Sequence, residues 1–204
     1  MKEKYKNIIL YSILILLSLT LFLMIIHTLL MKSYFAFFWY CYIAIFLIII
    51  GLFKKNSSLI LSQVIIIAIP DLLWIFDFIY LIFTGHVLLG VAQNFIGGLF
   101  DKIISLQHLY VVPLSLLALS TIKTKKNYKI LLISLGEIIL IFLLTLFFVP
   151  GSNIPSSNVN CVHESCTIFP MNFLPYYVEW FLFTFGFVII SYLIIISLPF
   201  IKKR

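Results

Sequence analysis

The chain has 204 residues, of which 63% are hydrophobic and 10% are charged. Soluble globular domains have roughly 45–50% apolar and about 25% charged residues, so this composition excludes an ordinary soluble protein. A net charge of +7 is also seen in nucleic-acid-binding proteins. Here, however, the basic residues lie in short clusters beside long apolar runs, and the sequence predicts an integral membrane protein that binds no nucleic acid.

The basic clusters indicate the topology. Of the 14 Lys and Arg residues, 12 form four clusters separated by apolar stretches long enough to cross a bilayer twice, namely Lys2/Lys4/Lys6, Lys54/Lys55, Lys123/Lys125/Lys126/Lys129 and Lys202/Lys203/Arg204. Cytoplasmic loops of membrane proteins retain Lys and Arg. The sequence therefore predicts an all-α, multi-pass protein of the cell membrane, with both termini cytoplasmic. Its single transmembrane domain, residues 1–204, has six spans, at about 8–30, 34–53, 58–84, 104–122, 129–149 and 177–200.

The first span is predicted to be retained. Its apolar run from Ile8 to Met31 is longer than the roughly 7–15 apolar residues of a signal peptide, and no small-residue cleavage site follows it. His27 lies near its outer end and is predicted to be structural. The second span contains Cys41, which is predicted to be a small apolar packing residue.

The third span carries two acidic residues at membrane depth. Asp71 and Asp77 lie about 20 and 29 Å from its inner end, which places both in the outer half. Intramembrane charges cost roughly 2.5–3.5 kcal/mol, so both are functional candidates. The structural alternatives are that Asp71 satisfies backbone donors freed by Pro70 and that Asp77 is a solvated helix-end residue. Trp74 shares a face with each aspartate and is predicted to roof a cavity that both border.

An apolar, Gly-rich outer loop, residues 85–102, separates the third and fourth spans. It is too short to span, and it is predicted to lie in the outer interface or to form a re-entrant element. The fourth span begins near Ile104, which places His108 within about 6 Å of its outer end. Because imidazole titrates near working pH, His108 is a candidate general base. The alternative is a hydrogen bond to a neighbouring helix.

Glu137 of the fifth span belongs to the opposite half of the membrane, about 12 Å from the inner end. It is predicted to lock the bundle by pairing with Ser62 or Gln63 of the third span, unless the protein moves ions. Glu179 lies at the outer start of the sixth span, at the level of the other titratable groups.

The last external loop, residues 150–175, contains no Lys or Arg. Cys161 and Cys166 lie in it, and an outward-facing loop is oxidising, so a short-loop disulfide is predicted. A zinc site that adds His163 to these two cysteines is the alternative.

Parts of residues 69–160 resemble a family of uncharacterised prokaryotic polytopic membrane proteins. Ile69–Phe78 matches the pattern I-P-x-x-x-W-x-x-D-F, and Ser105–Pro113 matches S-L-x-H-x-x-x-x-P. The Gly-rich outer loop and the N-x-N motif at Asn158–Asn160 also match. This resemblance implies a multi-pass membrane fold.

More distantly, His108 five residues before Pro113 in a six-helix protein resembles the androgen-induced intramembrane lipid-hydrolase family and its acyltransferase-like relatives. In that family an intramembrane His works with a Thr or Cys nucleophile. The resemblance implies lipid acyl or ester chemistry at His108. It carries over only His108 and Pro113. Cys41 and Thr84 are the candidates considered for the nucleophile, and neither lies in a matching motif.

Three functions remain open from the sequence. The first is a lipid hydrolase or acyltransferase of the outer leaflet, in which His108 is the base and Asp71 or Asp77 orients it. In this hypothesis water can replace a protein nucleophile, and no cofactor or metal is needed. The second is a small proton-coupled transporter with Asp71 and Glu137 as a relay across the two halves. The third is a non-catalytic membrane component, a receptor or an assembly partner, that recognises its target through the external loop. Membrane lipid is the expected partner, and the oligomeric state is not indicated.

Overall fold

A computed structural model describes residues 3–122, 124, 127–149, 159–163 and 175–201. All regular structure in these residues is helical. The α-helices are α1 Glu3–Leu30, α2 Tyr40–Phe53, α3 Ser57–Thr84, α4 Leu99–Ser105, α5 Gln107–Ile122, α6 Lys129–Phe148 and α7 Tyr176–Ile196. Short 3-10 turns cover Tyr34–Phe38, Gln93–Ile96 and Val159–Cys161.

Five helical segments are long and apolar enough to cross a membrane: α1, α3, Leu99–Ile122 (α4 and α5 together), α6 and α7. Helix α2 is equally apolar, but its 14 residues extend only about 21 Å, less than the hydrocarbon core of about 30 Å. The predicted second span is divided because Trp39 is extended (φ −63°, ψ 137°) between the turn Tyr34–Phe38 and α2. The structure thus supports a polytopic membrane protein, and the count of six spans stays a prediction.

Helix α3 is the central helix of the bundle. It packs against α2, α5, α6 and α7. In an apolar window of 18 residues, 56% of the α3 residues are buried inside the protein, whereas the corresponding share in the other four long segments is 28–33%. Every residue from Ile60 to Ala68 is buried. The polar side chains of α3 in this buried stretch therefore face other parts of the protein rather than lipid.

Local interactions fix both ends of α3. The Asn56 side chain accepts hydrogen bonds from the backbone N–H groups of Ser58 and Leu59, at 3.1 and 3.2 Å, as an N-cap. Gly85 ends the helix with a left-handed backbone (φ 75°), a conformation that glycine adopts without steric cost. The helix agrees with the predicted third span, and Gly85 turns the chain into the outer loop.

The fourth membrane segment begins earlier than predicted. Helix α4 starts at Leu99 rather than near Ile104, because the Asp101 carboxylate accepts the Gly98 backbone N–H at 2.8 Å and caps the new helix. His108 is therefore about 13 Å from the start of its segment, instead of the 6 Å expected. Asp71 lies close to the middle of the 28-residue α3. His108 thus lies further along its segment than predicted, whereas Asp71, about 21 Å from the start of α3, keeps its predicted position.

Candidate functional site

Asp71 of α3 and His108 of α5 form a hydrogen-bonded pair inside the bundle. Nδ1 of His108 lies 2.7 Å from Oδ1 of Asp71. Asp71 is 4% exposed, whereas one edge of the imidazole remains accessible, with 20% of the His108 side chain exposed. When Asp71 is ionised, Nδ1 carries the proton that it donates, and Nε2 is left as an acceptor. Nε2 makes no hydrogen bond to the residues that the structure describes.

An aromatic stack holds the imidazole from its face. Trp74, one turn after Asp71, stacks on His108 with ring centroids 5.0 Å apart and an angle of 29°. Trp74 also stacks on Phe78 at 5.0 Å, and Phe78 meets Phe95 of the outer loop edge to face at 4.6 Å. Trp74 was predicted to roof a cavity between two carboxylates; instead it positions the His108 ring. The stack connects the pair to the outer loop.

A narrow crevice between α2, α3 and α5 borders the pair. It is too narrow to hold a water molecule, and its lining residues are Cys41, Ile45, Ile67, Asp71, Gln107, His108 and Val111. Cys41, predicted as a packing residue, is a free thiol in this lining. Gln107 lies in the same lining and is buried. Gln107 was missed by sequence reasoning, although its position beside His108 in a span offered a signal.

Asp77 anchors the outer loop instead of joining the pair. Its Oδ1 accepts the backbone N–H groups of Leu88 and Leu89 at 2.6 and 2.8 Å, and its Oδ2 accepts that of Ala92 at 2.9 Å. The residue is 0% exposed, so the alternative of a solvated helix-end residue is wrong. The predicted orienting role towards His108 finds no contact in the described part of the chain. Among the two aspartates, only Asp71 is paired with the imidazole.

A second His–Asp pair joins α1 to α4. Nε2 of His27 lies 2.7 Å from Oδ1 of Asp101, whose Oδ2 caps α4 through Gly98. The Phe100 ring contacts the His27 ring with centroids 5.4 Å apart. This arrangement agrees with the structural role predicted for His27. Sequence reasoning did not single out Asp101, because a lone aspartate in a loop has no distinguishing spacing.

Glu137 pairs with α3, as predicted. Nε2 of Gln63 donates to Oε2 of Glu137 at 2.7 Å, and Ser134 of α6 donates to the Ser62 carbonyl at 3.2 Å. These contacts join α6 to α3 near the N-terminal ends of both helices. Gln63 is eight positions before Asp71, or about 12 Å along the helix. The Gln63–Glu137 pair is therefore separate from the His108 site.

We expect Glu137→Ala to lower the free energy of unfolding by about 1–3 kcal/mol, because it removes the closer of the two acceptors of the buried Gln63 amide. Glu137→Gln should cost less, since it keeps an acceptor oxygen. Thermal unfolding of both variants in detergent measures the difference, and Glu3→Ala, at an exposed position, is the control. Equal melting temperatures for Glu137→Ala and Glu3→Ala would contradict the structural role.

Three hydrogen bonds hold Asn160 of the external loop against the helical bundle. Its Oδ1 accepts the backbone N–H of Tyr40 at 3.1 Å, and its Nδ2 donates to the Phe38 carbonyl at 2.7 Å. Its own carbonyl accepts the Trp180 indole N–H at 2.9 Å. Because Tyr40 is the first residue of α2, Asn160 caps that helix from a distant part of the chain. The loop thereby positions the helix that carries Cys41.

Of the remaining predicted residues, Cys161 and Glu179 are outside the lining of the crevice. Cys161 is disulfide-bonded, and Cys166, its predicted partner, falls outside the described residues. No group of three metal-binding side chains occurs among the residues described, so the zinc alternative gains no support. Glu179 is buried near the outer start of α7.

Comparisons with protein-family models, with curated proteins and with solved structures give no match to this chain. The two resemblances noted in the sequence therefore stay predictions. The function is argued from the site itself.

Proposed function

We propose that this protein is an intramembrane enzyme that hydrolyses or transfers lipid acyl groups, with His108 as its general base. The observation that carries the proposal is the bond between Asp71 and Nδ1 of His108. It fixes the tautomer in which Nε2 accepts a proton, as in Ser-His-Asp enzymes. Burial of Asp71 and stacking by Trp74 hold the ring in place, and the exposed edge of His108 leaves a lateral approach for lipid.

In this mechanism Nε2 removes the proton from a nucleophile as that nucleophile attacks the ester carbonyl. Nε2 then returns the proton to the departing alcohol. Two nucleophiles fit the crevice: the Cys41 thiol, which would form a thioester that water or a second alcohol releases, and a water molecule admitted when the crevice widens. General acid–base catalysis of this kind contributes about 10²–10⁴-fold in rate.

The test is turnover of radiolabelled acylglycerols and phospholipids by the purified protein in nanodiscs. Wild type is expected to release labelled acid or to transfer the acyl group, and His108→Ala is expected to abolish this while it remains folded. His86→Ala, at an exposed loop position, is the matched control and should keep wild-type turnover. Undiminished lipid turnover in His108→Ala would contradict the mechanism. Absence of any turnover in wild type would favour a receptor, an assembly partner or a transporter.

The proposal places the protein in the cell membrane with both termini in the cytoplasm. The basic clusters support this orientation through the positive-inside rule. His86→Cys should then react with a membrane-impermeant maleimide on intact cells, and Tyr128→Cys only after permeabilisation. Wild type, whose Cys41 is a half-buried free thiol, provides the background labelling. Labelling of Tyr128→Cys from outside would overturn this topology.

A further inference from the structure

Gln107 is a buried amide whose hydrogen bonding is incomplete. It is 3% exposed, it lines the crevice beside His108, and its Oε1 has no hydrogen-bond partner within the described structure. A buried polar atom without a hydrogen-bond partner is unfavourable. A ligand that supplies a hydrogen-bond donor would remove this defect.

The surroundings of Gln107 disfavour a charged ligand. Three aliphatic side chains, Ile45, Ile67 and Val111, line the crevice, and its lining contains no Lys or Arg. The carboxylate of Asp71 would repel a phosphate group. Asp71 also lies close to the middle of α3, and His108 lies inside the apolar segment Leu99–Ile122, where a charged headgroup is costly. These features together favour an uncharged lipid over a phospholipid.

We infer that Gln107 recognises the substrate of the proposed enzyme, and that this substrate is an uncharged lipid ester with a free hydroxyl group, such as a monoacylglycerol. When the crevice widens to admit the lipid, the hydroxyl donates to the Gln107 amide oxygen, while His108 acts at the ester. This inference rests on the proposed function for its chemistry. Its recognition step can be measured without turnover, because the donor requirement acts on binding.

The experiment uses the full chain in nanodiscs and a diazirine-bearing monooleoylglycerol as photolabel. Unlabelled monooleoylglycerol, its 2,3-di-O-methyl ether and oleoyl lysophosphatidic acid are the competitors. For wild type, monooleoylglycerol should compete at about tenfold lower concentration than its dimethyl ether, because only the former supplies a donor to the orphaned oxygen. Lysophosphatidic acid should compete more weakly than monooleoylglycerol.

Gln107→Met keeps the side-chain length without the amide, and it should bring the two uncharged competitors to equal potency. Gln107→Glu retains acceptor oxygens and should keep the preference for the hydroxyl. An unchanged ratio in Gln107→Met, equal potencies in wild type, or strong competition by lysophosphatidic acid would overturn the inference.

Turnover measured in parallel separates the two proposals. His108→Ala should lose turnover and keep the wild-type order of competitors. If wild type shows that order and no variant turns over lipid, recognition by Gln107 stands and the enzymatic function fails. If turnover depends on His108 but wild type does not discriminate between the two uncharged competitors, the function stands and the inference fails.

Discussion

Asp71→Asn is expected to lower the rate of lipid turnover by about 10²–10⁴-fold, with KM nearly unchanged. The amide keeps the shape of the carboxylate, but it can present its NH₂ group to Nδ1 of His108. The imidazole then carries its proton on Nε2 and cannot act as a base. Single-turnover kinetics of the two proteins in nanodiscs measure the effect.

The second His–Asp pair provides the control for this substitution. Asp101→Asn alters the partner of His27 in the same way, but it lies outside the crevice, so turnover should stay near that of wild type. Equal losses in both variants would show that the effect arises from weakened packing. A normal rate in Asp71→Asn would contradict the role of Asp71.

Asp77→Ala is expected to destabilise the protein by about 3 kcal/mol or more, because it leaves three backbone N–H groups of the outer loop without their acceptor. The amides of Leu88, Leu89 and Ala92 should exchange hydrogen much faster than in wild type. Hydrogen exchange with mass spectrometry and thermal unfolding in detergent measure the two effects. Turnover should also fall, since Phe95 of this loop packs on the aromatic stack at His108.

Asn94→Ala is the matched control for the loop, because Asn94 lies on the same segment and is exposed. It should leave both the exchange rates and the melting temperature close to the wild-type values. If Asp77→Ala behaves in the same way, Asp77 is not the anchor of the loop.

The features that could be predicted from the sequence are those that long apolar runs determine. The third span, 58–84, agrees closely with Ser57–Thr84, since a helix of this length dominates the local pattern. The pairing of Glu137 with Gln63 was also predicted, because depth along a helix limits which polar residues can meet. Asp71 was one of two residues predicted to orient His108, and the structure pairs it with the imidazole.

The features that were missed depend on backbone geometry outside the helices or on a single polar residue. The partners of Asp77 are backbone N–H groups, whose positions follow from the path of the outer loop and have no signature in side-chain type. The predicted start of the fourth segment was wrong, because the Asp101 cap starts the helix at Leu99, and His108 therefore lies further along the segment. The only sequence signal for Gln107 is its position beside His108 in a span, and this position does not separate it from a packing residue until the crevice is known.

The cap that Asn160 places on α2 has a consequence for biogenesis. Tyr40 and Asn160 are 120 positions apart, so most of the chain must leave the ribosome before this contact can form. Until then the start of α2 lacks its acceptor, and Cys41 is not held against α5 by the external segment. Polypeptides truncated before Asn160 should therefore insert into the bilayer but fail to turn over lipid. The proposed activity should appear only when the final third of the protein has been synthesised.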